Sequence, residues 1–346
     1  MEKSKKEVVE IDGSYGSGSG QIIRTALALS ALTNKAFHIV NIRAKRKNPG
    51  LAAQHFSCVD AVAKLCNAKV QGNFIGSKEL WFWPGNEIKT TKLKIDIGTA
   101  GSIALVLQAL MPVVTKINNA IEIEIRGGTD VKGAPSIDYI NNILLTLLRK
   151  FNYRATLKIV RRGFFPKGGG IINFKAEPME LKQFNLIESG QFLRIKGISI
   201  ASMNLKKANV ANRQAQQAEK LLNGLNLPID IQTKYEESYS PGSAITIWLE
   251  TRNSVIGSSV IGERRKSSEK VGTEVAVQLL KEIEQKAAVD IYASDQLLPY
   301  LALTKSSLKT SGISEHAKTN AFVIEKFLPV KFKIDKIENI ISIKKY

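Results

Sequence analysis

Of the three histidines in 346 residues, His316 is the one placed to do chemistry. It lies in S-E-H-A-K-T-N (314–320), opening an apolar helical pattern, A-F-V-I-E-K-F-L. A neutral imidazole nitrogen is a competent nucleophile near pH 7. A helix cap or a surface residue accounts for a lone histidine there just as simply. His38 alternates within a strand pattern and reads as structural, and His55 falls on a predicted helix after a basic loop. No H-x-x-x-H or H-E-x-x-H spacing points to a metal centre. No G-x-S-x-G elbow points to a serine hydrolase.

Three further segments suit an anionic substrate. D-G-S-Y-G-S-G-S-G-Q-I-I-R (12–24) is a glycine-rich turn opening a helix, where backbone amides and the helix start favour negative charge. It matches neither the P-loop nor the dinucleotide fingerprint, so a plain tight turn explains it equally well. Arg24 sits about a turn into that helix. I-R-A-K-R-K-N-P-G-L-A-A-Q-H (42–55) places Arg43, Lys45, Arg46 and Lys47 in a loop, with Gln54 and His55 on the helix beyond. Guanidinium groups grip phosphates bidentately and lysines act as point charges, although a solvated basic loop has the same composition. V-R-R-G-F-F-P-K-G-G-G (160–170) interleaves Arg161, Arg162 and Lys167 with two aromatics, as a single-stranded RNA end requires. A hairpin loop between two strands accounts for its glycines too.

The elements that must position these residues recur as strand, Gly/Ser-rich turn and apolar helix, at 8–33, 93–114 and, with Ala-Ser-Asp in place of glycines, 289–303. Alternating strands are expected at 36–44 and 121–128. A helix is expected over Pro135–Lys150, with Ile137, Ile140, Ile143, Leu144, Leu147 and Leu148 in one stripe. Residues 187–285 lack the glycine turn. There a strand precedes a polar helix (about 206–225) with Ala211, Ala215, Ala218, Leu222 and Leu225 facing inward, then two hairpin-like strands and a helix from about Ser267. This segment reads as an inserted smaller α/β domain, leaving 1–186 and 286–346 as the catalytic domain.

Composition is that of a globular chain, 44% hydrophobic and 23% charged, with length for about two domains. No long uncharged apolar run suggests a membrane span, and the charged start M-E-K-S-K-K-E has no signal-peptide core, so a cytoplasmic protein is expected. Cys58 and Cys66 read as buried free thiols. The excess of 50 Lys+Arg over 31 Asp+Glu, net +19, favours a polyanionic partner, nucleic acid first.

Taken together, these strings resemble the class I RNA 3'-terminal phosphate cyclase family, archaeal type, over nearly the whole chain. The resemblance is carried by D-G-S-Y-G-x-G-x-G-Q-I-I-R, I-R-A-x-R-x-N-P-G-L-x-x-Q-H, G-T-A-G-S-I-x-L-V-L-Q, G-G-T-D, R-R-G-F-F-P-K-G-G-G, S-D-Q-L and H-x-K-T-N. It implies an α/β (α+β) fold of three βαβαβ-type modules with a smaller domain inserted before the last. It also implies ATP as co-substrate, a divalent cation (Mg or Mn), and RNA with a 3'-terminal phosphate as partner. By the same resemblance His316 attacks the ATP α-phosphorus and carries AMP. Gln108, Tyr292, Ala293, Ser294, Asp295 and Gln296 hold the nucleotide, while Arg24, Arg46 and Gln54 lie around the phosphates; Arg161, Arg162 and Lys167 are expected at the RNA from the basic and aromatic residues of 160–170 themselves.

One departure stands out. The family commonly reads G-E-G-G-G in the first turn, where this chain has Ser17 and Ser19 in G-S-G-S-G. A hydroxyl is a far weaker Mg²⁺ ligand than a carboxylate, so no protein metal ligand is assigned and altered metal dependence is expected. Two other classes remain open: a non-catalytic RNA-binding relative acting in ribosome assembly, and an enolpyruvyl transferase built from the same module.

Overall fold

Helix Gln21–Thr33 carries the chain between two parallel strands, Val8–Asp12 and Ala36–Val40. In this computed structural model, which describes residues 8–344, the parallel pair begins a four-stranded sheet. Its spatial order is Val8–Asp12, Ala36–Val40, Leu80–Trp83, Lys69–Gln71, the last two joining antiparallel. A second sheet has the same order and sense: Lys92–Asp96, Ile121–Gly127, Gly170–Ala176, Ala155–Arg161. A third has Ser307–Lys309, Ile340–Ile343 and Phe332–Asp335, with a single parallel bridge from Val289 to Thr310 where the others have their first strand. Each of these sheets therefore ends in an antiparallel hairpin, and the first two have one strand more than the βαβαβ type.

Alternation along the strands decides which face is covered. Phe37, Ile39, Leu80 and Phe82 are buried on one face of the first sheet, whereas His38 and Glu10 are on the other. His38 bonds Glu10 and Glu79 through its two ring nitrogens (2.8 and 2.7 Å) and stacks on Trp81, the structural part expected of it. The buried faces and the helices between the strands form one continuous core. The chain is an α/β (α+β) fold with helices gathered between outward-facing sheets.

The Pro135–Lys150 helix forms over Ile137–Arg149 and buries all six expected apolar residues. A π-helical turn at Ile140–Leu144 widens its path and brings Leu145 into the core as well. The third glycine-turn analogue departs from expectation. No strand and turn occupy 289–295; Asp290 caps a helix, Ile291–Thr304, by accepting from the Tyr292 and Ala293 amides. A carboxylate on the residue after the bridge starts the helix early, so Ala-Ser-Asp lies within it.

The chain leaves the edge of the third sheet at Leu186, which bridges Leu308, and returns to that edge at Val289. Between these points, strands Phe192–Ser202, Ile229–Glu236, Ser243–Thr251 and Val255–Ile261 build a separate sheet with its own core. Helices Val210–Leu222 and Ser268–Glu284 cover it, the first through Ala211, Ala215, Ala218 and Leu222. Small residues on that face allow close approach: a Cβ on Gly272 would lie 2.3 Å from the Gln214 carbonyl oxygen. Among the described residues no helix is long and apolar enough to cross a membrane. Cys58 and Cys66 are free and buried.

Candidate active site

Several helices converge beside one cavity of about 350 Å³. Gln21 and Arg24 enter it from the helix after the first glycine turn, Gln108 from Ile103–Leu110, and Tyr292, Asp295 and Gln296 from Ile291–Thr304. His316, second residue of helix Glu315–Phe327, stands exposed at its lip.

Buried hydrogen bonds lock the helices to one another. Ser314 caps the His316 helix by accepting from the Ala317 amide (2.9 Å), and its hydroxyl donates to Asp295 Oδ1 (2.5 Å). Asn320 donates to the Asp295 carbonyl (2.8 Å) and accepts from Thr25 (2.6 Å). Gln108 donates to Gln296 (2.8 Å), which donates to the Tyr292 carbonyl (3.0 Å). The imidazole is thus carried on a helix whose start is bonded to the cavity floor. Burial raises Asp295 to about 7, so near neutrality this carboxyl is about half protonated.

The cavity holds a buried cation, Arg24, and has unused bonding capacity. Arg24 Nε and Gln21 Oε1 are buried without hydrogen-bond partners, a cost that a bound polyanion with donor groups would remove. Partial burial, and then the charges of Arg24 and Arg46, lower the pKa of His316. Each of these favours the neutral ring.

The first glycine turn lies against the same helix. Gly16, at φ +54, has Thr319 so close that a Cβ would meet its Oγ1 at 2.4 Å. His55 supports the turn from below. Its Nδ1 accepts from the Ala52 amide (3.2 Å), and burial pushes its pKa down to about 3, so it is neutral with the proton on Nε2. A Cβ on Gly20 would lie 1.8 Å from that nitrogen. Gly20 has ordinary helical torsions (φ −65), so alanine is obstructed by the ring alone. Gly20→Ala is expected to cost ~1–3 kcal/mol, read as a lowered melting temperature. Wild-type melting behaviour in that variant would refute the packing described.

Several expected site residues are placed elsewhere. Ala293 and Ser294 face the core, not the cavity; Ser294 donates to the Ile291 carbonyl (2.8 Å). In a helix, residues 292, 295 and 296 share a face and the two between them turn away. Arg162 is the sharpest correction. It is 2% exposed and bonded to both oxygens of Asp138 (2.7 and 3.0 Å) and to Asp130 (3.3 Å), while its remaining Nε is buried 3.6 Å from Glu236, so no guanidinium edge is exposed to RNA. Its neighbour Arg161 reaches the surface, donates to the Gly169 carbonyl (2.8 Å) and lies over Tyr239, 4.3 Å from the ring centroid. Lys167 is exposed on the same hairpin, Arg46 is exposed in its loop, and Gln54 packs beside Gly101. Arg43 is spent within its own loop, on the Gly50 carbonyl (2.6 Å).

Gly133, Ala134, Pro135 and Ser259 also line the cavity. Pro135 was legible as a helix start, but nothing in sequence brings Ser259 here. It arrives through a hydroxyl bond to Ser136 (2.8 Å), which with the bond of Thr246 to Ser136 (2.8 Å) joins the separate sheet to the start of the Ile137–Arg149 helix. Among the described residues no group of three His, Cys, Asp or Glu side chains could hold a metal, and Ser17 donates its hydroxyl to Ser19 (3.0 Å).

The family profile described as RNA 3'-terminal phosphate cyclase matches residues 15–334. The chain belongs to this family. A protein of Methanococcoides burtonii named RNA 3'-terminal phosphate cyclase is 48% identical, the match covering 97% of this chain and 99% of the relative. Relatives with the same name from Pyrococcus furiosus and Saccharolobus islandicus are 43% and 42% identical over 94% of this chain and 95% and 96% of theirs. The matched region holds every cyclase-like string noted above except the first residues of D-G-S-Y-G, so the cavity and His316 lie wholly within it.

Proposed function

We propose that this protein uses ATP to convert an RNA 3'-terminal phosphate into a 2',3'-cyclic phosphate, with His316 as the adenylylated nucleophile. The reading is carried by one observation: His316 stands at a cavity whose buried Arg24 Nε lacks a partner, in a chain of the cyclase family.

The neutral imidazole attacks the ATP α-phosphorus, a P–N bond forms, and the bond to pyrophosphate breaks. The ring loses its remaining N–H proton, leaving a phosphoramidate with a neutral ring and one negative charge on the phosphate. An oxygen of the RNA 3'-phosphate then attacks the same phosphorus as the ring regains a proton from solvent, so the P–N bond breaks, neutral histidine leaves and an RNA-diphosphate-adenosine end remains. The adjacent 2'-hydroxyl attacks the RNA phosphorus, loses its proton, closes the ring and expels AMP. Nucleophile and electrophile share one ribose, so closure gains from proximity. Arg24, joined by Arg46, offsets charge on the phosphates, and Tyr292, half exposed in the cavity, offers a face to the adenine. The donor set beside the cavity does not fit a protein-held cation, so a divalent ion (Mg or Mn) enters on the ATP phosphates.

Incubation with α-labelled ATP and Mg²⁺ or Mn²⁺ is expected to give an acid-labile, base-stable adduct mapping to His316 by mass spectrometry. A protonated ring has no lone pair to give, so adenylylation falls with acid. Because the His316 pKa lies below the ordinary 6.5, the midpoint of that fall is expected below pH 6.5. RNA binding with no adduct overturns the reading, and an acid limb centred above 6.5 overturns the electrostatics.

A further inference from the structure

A second and larger cavity, about 810 Å³, opens between the 161–170 hairpin and the separate sheet. Phe164, Phe165 and Pro166 form one wall, while Val210, Pro241 and Ile261 of the separate unit contribute to the other. Its size falls within the range of sites that hold small molecules, about 300–1,000 Å³. Loop 130–135 divides it from the His316 cavity: Asp130, Val131 and Lys132 line the larger space, and Gly133, Ala134 and Pro135 line the smaller.

The lining selects one occupant. Phe165 is 75% exposed, so its ring is open to stack on a base, and Tyr239 of the adjoining surface is 49% exposed. Arg264 lines the cleft, and Lys167 is exposed beside Phe165; neither side chain has a partner among the described residues. Arg161 lies over the Tyr239 ring. Lys132 is paired with Glu263, another lining residue, whereas an open aromatic ring beside the free cations Arg264 and Lys167 matches a flexible chain of bases and phosphates better than an apolar peptide or a lipid.

We propose that this cleft holds the single-stranded RNA just upstream of the reacting end, with a base on Phe165 and phosphates on Arg264 and Lys167. The assignment rests on the cyclase reading above and gives the separate sheet a function: it completes an RNA groove beside the catalytic cavity.

The test is direct binding without ATP, by fluorescence anisotropy, of 3'-phosphorylated RNAs two and six nucleotides long. The wild-type protein is expected to prefer the longer RNA, and Phe165→Ala combined with Arg264→Ala to lose about five-fold or more of that preference. Both side chains are exposed, so the double variant is expected to melt with the wild type. In a second measurement on unaltered protein, 4-thiouridine two to four nucleotides from the 3' end is expected to photocrosslink to peptides containing Phe165 or Tyr239. Equal affinity for both lengths, an undiminished preference in the double variant, or crosslinks confined to the 42–55 loop would each overturn the proposal. Adenylylation is read separately, so its absence would strike the catalytic reading and leave this result interpretable.

Discussion

His316→Ala is expected to erase the AMP adduct and to slow cyclisation by more than about 10³-fold, the scale at which removing a covalent nucleophile acts. The imidazole is exposed at the cavity lip and accepts no buried hydrogen bond, so stability is expected to change by less than about 0.5 kcal/mol. The helix start is held independently, by Ser314 on Asp295 and on the Ala317 amide. Loss of the adduct with an unchanged melting temperature and retained RNA binding therefore isolates the chemistry. An adduct that survives the substitution would place the nucleophile elsewhere.

Arg162→Ala is expected to produce the largest loss of stability, ~3–5 kcal/mol, because it strands charges away from water. Asp138 and Asp130 are each 1% exposed, and Oδ1 of Asp130 already lacks a partner. Burial raises the Asp130 pKa even with the arginine present. Removing the cation raises it further above its unfolded value, so the variant binds more protons folded than unfolded. Its deficit should accordingly shrink as the pH falls toward 5 and grow toward 8. Arg161→Ala, one residue away but at the surface, is expected to cost less than about 1 kcal/mol. Denaturation midpoints for the two variants at both pH values check this; equal, small losses would mean that the buried cluster contributes nothing.

The contrast between these adjacent arginines marks where sequence reading stops. Successive residues near a strand end point to opposite faces, and R-R-G-F-F-P-K contains no signal for which arginine goes inward. Two buried carboxylates from the Gly127–Asp138 region make that choice, and they meet Arg162 only through the pairing of the second sheet. In the same way, I-Y-A-S-D-Q-L reads as strand and turn until Asp290 is seen capping a helix. Tyr292, Asp295 and Gln296 then share one face, and Ala293 and Ser294 lose theirs.

Local periodicity and turn chemistry were enough to locate the strand–turn–helix units, the apolar stripe of the 137–149 helix, the distinct character of 187–285 and His316 at a helix start. Those features depend on neighbours a few residues apart, which a linear string records. Only the tertiary structure decided that Arg24, Gln108, Asp295 and His316 border one space, that Ser259 joins them from another sheet, and that a second cleft lies across loop 130–135. Each of these requires sheet order and helix packing between distant segments, and burial chooses among side chains whose local patterns are the same.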